Sequence, residues 1–158
     1  MKSLKWIAVV MMFACLLSFG TVSVASGEPS QEAYTPTPEE EALISVSEDF
    51  WTAMENADEE GMRAIADPDC TFVHIGMTCG LDTEVMCYTG GLFQPTEMVY
   101  NSRTASIFGS TGIVITDCNY TLLLGGRETT HHFAVTEVYA AEDDGWTLVQ
   151  FSFTALEY

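Results

Sequence analysis

From Glu97 to Thr154 the chain consists of four long runs of strand-forming residues, and the breaks between them leave little choice of fold. The runs are roughly Glu97–Phe108, Ile113–Leu124, Thr129–Ala140 and Trp146–Thr154. They are separated by "GSTG", "GGRE" and "EDDG". Each break is turn chemistry, with glycine free to take positive φ and Ser, Thr or Asp able to bond their own backbone. Four strands joined by turns this short make an antiparallel meander, and a meander needs something apolar to cover one face.

The cover lies upstream. Thr37-Pro38-Glu39-Glu40 reads as a helix start: Thr37 caps, Pro38 suits the first helical position and Glu40 completes a capping box. Leu43, Val46, Phe50 and Met54 follow at steps of 3, 4 and 4, with Ile44 and Trp51 alongside, so one apolar stripe runs to about Asn56. Asp58 caps a second, shorter helix through Ala66, ended by Asp67-Pro68. "CTFVHI" is then a first strand, and Asp82 to Tyr88 a short helix or turn closed by Gly90-Gly91. The expected fold class is α+β, with helices on one face of a bent, mostly antiparallel sheet.

The N-terminus reads as an export signal. Lys2 and Lys5 precede the apolar run "WIAVVMMFACLLSFG", and Ser23, Ala25 and Ser26 suit cleavage before Gly27. The run is short of a bilayer span and is broken by Ser18 and Gly20. The expected organisation is a signal peptide over 1–26, a flexible leader over 27–37 and one domain over 38–158. The expected location is periplasmic or extracellular, for a bacterial cell. Removing the signal leaves three arginines against 23 acids, 3 − 23 = −20, and no lysine. So acidic a surface repels phosphate backbones and anionic lipid, which argues against nucleic-acid or membrane-surface partners.

Four cysteines remain in the mature chain: Cys70, Cys79, Cys87 and Cys118. Two disulfides with three possible pairings are open to them, and so are buried free thiols. Separations of 9, 8 and 31 residues lack the close pairs of a zinc site. His131 and His132 are adjacent on a strand, point to opposite faces and cannot chelate one ion together. No metal and no cofactor are expected, since phosphate loops, nucleophile elbows and zincin helices are all missing from the sequence.

The helix carrying Trp51-Thr52-Ala53, the "D-x-x-x-M-x-x-I-A-D-P-D" second helix, "TFVHIG" and "VTEVYAAEDDGWTLVQFSFT" together resemble the nuclear transport factor 2-like superfamily. This superfamily includes ketosteroid isomerase and SnoaL-like polyketide cyclases. The resemblance spans about residues 38 to 156. It implies a cone-shaped half-barrel with an apolar pocket at the open end, commonly in a homodimer. The strand position of the isomerase's general base falls on His74, so an imidazole would stand where the isomerase has a carboxylate. Further pocket positions implied on the later strands are Tyr100, Arg103, Asp117, His131, His132, Glu137 and Gln150. Trp51 is a candidate for the cavity wall, and Asp117 is expected either to pair with Arg103 or to stay neutral by desolvation. Alternation along the last strand puts Phe151 and Phe153 on one face, with Trp146, Leu148, Gln150 and Ser152 on the other. The leading expectation is an exported protein holding a small molecule. An enzyme using His74 as general base and a dimerising scaffold with a filled cone are the alternatives.

Overall fold

The computed structural model describes residues 34–143 and 145–156; the expected signal peptide and most of the expected leader lie outside them. Helix α1 spans Pro38–Glu55, and both halves of its capping box form: the Thr37 hydroxyl accepts from the Glu40 amide and the Glu40 carboxylate from the Thr37 amide. Helix α2 follows over Glu59–Ile65 behind the Asp58 cap. The chain then enters β1 (Ala66–His74), turns into β2 (Met77–Gly80) and continues as α3 (Leu81–Thr89). The meander occupies β3 (Phe93–Phe108), β4 (Thr111–Leu124), β5 (Arg127–Glu142) and β6 (Gly145–Ala155). Asp67-Pro68, expected as a break, lies inside β1, and β2 has no counterpart among the expected elements.

The described strands form one mixed sheet in the order β2-β1-β6-β5-β4-β3, with β1 parallel to β6 and every other pair antiparallel. The sheet does not close. Its concave face carries Val114, Cys118, Phe133, Val135, Tyr139, Leu148 and Phe151, and α1 lays Leu43, Phe50, Trp51 and Met54 against it. Phe50, Trp51 and Phe151 meet ring to ring at 5.3–5.5 Å, so apolar area and aromatic geometry fix the same docking. No helix among the described residues is long and apolar enough to cross a membrane.

Parity on β6 departs from the sequence reading. Val138 pairs with Gln150 and Tyr139 with Leu148, leaving Val149 as a bulge. The extra residue lets Leu148 and Phe151 both face the core, while Gln150 stays on the outer surface. Phe108, at the end of β3, is 66% exposed and fills no part of the cone.

Candidate functional site

A cavity of about 390 Å³ opens at one end of the sheet. Its wall is largely apolar, built from Leu122, Phe133, Phe153, Phe93 and Leu92, with His74, His131, Tyr88 and Tyr120 among them. His74 ends β1, stacked on Phe153 at 5.0 Å and tilted against Phe93 at 5.3 Å. His131 sits on β5 beside Phe133, on the face it shares with Phe133 and Val135, which the structure turns toward the core. The Tyr88 and Tyr120 hydroxyls lie 3.1 Å apart, and burial pushes both phenols up from their usual range, so both remain neutral donors.

Behind His74 stands a carboxylate that the sequence did not announce. His74 Nε2 is 2.7 Å from Glu84 Oε2, and the Cys79 thiol donates to the same oxygen at 3.4 Å. Glu84 is fully buried, and its other oxygen, Oε1, accepts no hydrogen bond. The local fold explains the meeting. Gly76, at φ +91°, supports the two-residue turn that reverses β1 into β2. Cys79 then pairs with Phe72, two residues before His74 and on the same face, which puts thiol and imidazole diagonally across the hairpin. Helix α3 begins one residue after β2 and carries Glu84 in its first turn, against that face. Burial, and then the Glu84 charge, push the Cys79 thiol up to about 12, so it stays protonated. All four described cysteines are free thiols.

The remaining candidates lie elsewhere. Trp51 and Tyr100 meet edge to face at 5.7 Å in a second cleft of about 260 Å³, shared with Glu48, Thr52, Ser102 and Arg103. Arg103 Cζ stands 4.7 Å from the Tyr100 ring centre, and the Tyr100 hydroxyl donates to Glu55. Glu137 is wholly buried in the core behind Trp51, and lines neither recess. Its carboxylate accepts from Trp51 Nε1 at 2.8 Å, Thr116 Oγ1 at 3.2 Å and the Tyr139 hydroxyl at 2.6 Å. Burial nonetheless raises its pKa, because the three donors only partly replace water.

Asp117 and Gln150 lie on the outer face, away from both recesses. Asp117 pairs with His132 Nε2 and Asn101 Nδ2, each at 2.7 Å, and not with Arg103. The bond from Asn101, followed by that from His132, lowers its pKa, which excludes the desolvated neutral acid considered above. Arg103 turns inward instead, donating to Thr116 at 3.0 Å and pairing with Glu48 at 3.2 Å.

Helices laid into an open, strongly bent sheet, with a recess lined by aromatic rings at its mouth, define the nuclear transport factor 2-like class of α+β cone. Residues 43–155 match the SnoaL-like domain family, and the chain belongs to it. Solved structures agree on the fold. An NTF2-like protein from Cytophaga hutchinsonii is 20% identical, over 73% of this chain and 97% of its own, with a TM-score of 0.67. A protein of the NTF2-like family from Streptomyces avermitilis, provisionally described as a dehydratase, is 19% identical over 78% and 100%, with a TM-score of 0.67. The CaMKII hub of S. rosetta is 19% identical over 77% and 100%, with a TM-score of 0.65. No curated protein matches the chain.

Proposed function

We propose that this chain, exported by its N-terminal segment, holds a small, mostly apolar molecule with one or two polar atoms in the cavity between His74 and His131. The observation that carries the reading is the cavity: about 390 Å³ of apolar wall onto which two imidazoles and two neutral phenols converge. That volume is ample for a compact ligand, and few polar groups on an apolar wall is how such sites orient what they bind. The acidic surface argues for a neutral or cationic ligand over an anionic one.

Native mass spectrometry of the purified protein, after incubation with extract of its source organism, tests this. A retained small molecule is expected. His131→Ala, a change at an exposed position, weakens retention by about 1 kcal/mol, or ~5-fold. A cavity that stays empty in both proteins overturns the reading.

A second reading rests on Glu84. Its carboxylate takes up the Nε2 side of His74, which leaves Nδ1 as the ring nitrogen able to accept a proton from a bound molecule. That supports an isomerase-, cyclase- or hydratase-like reaction with His74 as general base. Turnover of the retained molecule, lost in His74→Ala, distinguishes an enzyme from a binding protein.

A further inference from the structure

We propose that His74, Cys79 and Glu84 form a site for one divalent transition-metal ion, with zinc the ion best suited to the donor set. One imidazole nitrogen, one sulfur and one carboxylate oxygen lie within 4.8 Å of one another, on β1, β2 and α3. Around a tetrahedral zinc, donors of these types at their usual bond lengths stand about 3.4–3.6 Å apart. Sulfur and oxygen already stand at 3.4 Å, while nitrogen and oxygen, at 2.7 Å, must part by roughly 0.7 Å. The sequence gives no warning of this site, because H-x4-C-x4-E is not a metal spacing until the hairpin and helix bring its members together.

The second observation is the state of Glu84. It is wholly buried, its Oε1 accepts no hydrogen bond, and among the described residues His74 is the one basic group within ion-pair distance. A buried carboxylate so poorly compensated calls for a cation. A zinc ion bound by neutral His74, Glu84 carboxylate and Cys79 thiolate gives a site of zero net charge. The thiol proton, and any proton shared between His74 and Glu84, leave to solvent as the metal bonds form. Mixed nitrogen, sulfur and oxygen donors suit zinc over magnesium or calcium, which prefer oxygen alone. Three protein ligands leave a fourth position for water or for a donor atom of a bound molecule, the pattern of open zinc sites.

The site borrows His74 from the cavity wall but needs nothing in the cavity. The test titrates the full, reduced, chelator-stripped chain with Co²⁺, then competes with Zn²⁺. One Co²⁺ per chain is expected, with a near-ultraviolet thiolate-to-cobalt absorption that Zn²⁺ abolishes. Cys79→Ser, a near-isosteric change at a half-buried position, removes that band and weakens Zn²⁺ by about 100-fold or more. Glu84→Gln, which keeps the shape and removes the charge, also weakens Zn²⁺, and Asp117→Asn, on the outer face away from the site, leaves Zn²⁺ and Co²⁺ binding as they are. Absence of uptake by the folded protein, uptake without the sulfur band, or a band that survives Cys79→Ser each overturns the site. Metal uptake with an empty cavity sinks the ligand reading alone, and a retained ligand without metal uptake sinks this one alone.

Discussion

Glu137 shows what one buried carboxylate does to the stability of the whole domain. Its raised pKa means that, between the unfolded and folded values, the folded state holds more proton than the unfolded one. Stability from this group is therefore fully present below the unfolded value, near 4.5, and falls as pH rises through the folded value. Glu137→Gln removes the titration and keeps an acceptor for Trp51. We expect the variant to lose less stability than the wild type between pH 5 and pH 8, measured by urea denaturation at both. Parallel pH profiles for the two proteins count against the assignment. Among single residues, legibility follows local geometry. Strand alternation alone puts His131, Phe133 and Glu137 on one face, because parity holds along an unbroken strand. Glu84 stays hidden in the sequence because an acid in the first turn of a helix is ordinarily a solvated partner of the helix dipole. Only the packing of α3 on the hairpin buries it.

At the scale of elements, the contact that holds α1 to the sheet is narrow enough to test. A Cβ on Gly112 of β4 would lie 2.6 Å from Leu43 Cδ2 and 3.2 Å from Trp146 Cζ3, so the sheet is pared to glycine where Leu43 enters. Leu43→Ala empties a fully buried position and is expected to cost about 2–5 kcal/mol. Gly112→Ala overpacks the same point and is expected to cost about 1–3 kcal/mol. Together they share one volume, so the double variant loses less than the sum of the two, read from denaturant midpoints. Strict additivity would mean that Leu43 and Gly112 do not meet. Long elements are legible because each carries its own period and its own punctuation: α1 its capping box and stripe, the meander its turns. Short ones are not. β2 has four residues, too few for a period, and exists only because β1 offers it an edge. The bulge at Val149 reverses the parity of Leu148 for a related reason: register between two strands is a pairwise property, and one strand's sequence does not contain it.

For the molecule as a whole the governing quantity is charge. The full chain carries 23 acidic residues against five basic ones, a formal −18. Such like charges repel more strongly in the compact state than in the expanded chain, so net charge is a standing penalty on folding. The structure offsets little of it. Among the described residues Arg63 and Arg103 together pair with three carboxylates, Glu59, Asp82 and Glu48, and the Arg63 pairs are largely exposed, where such contacts contribute little. Most of the described acids face solvent, within reach of a screening atmosphere. Screening at 0.01 M ionic strength acts over about 30 Å, and at 0.1 M over about 10 Å, which spans the change from domain-wide repulsion to repulsion between near neighbours alone. The thermal midpoint should therefore rise by a few degrees as sodium chloride is raised across that range, at fixed pH near 7. Potassium chloride should give the same curve, since screening depends on ionic strength and not on the ion. A midpoint that falls with salt would mean that the few ion pairs outweigh the repulsion. A rise produced by traces of zinc but not by sodium would point instead to the His74–Cys79–Glu84 site as the place where positive charge matters most.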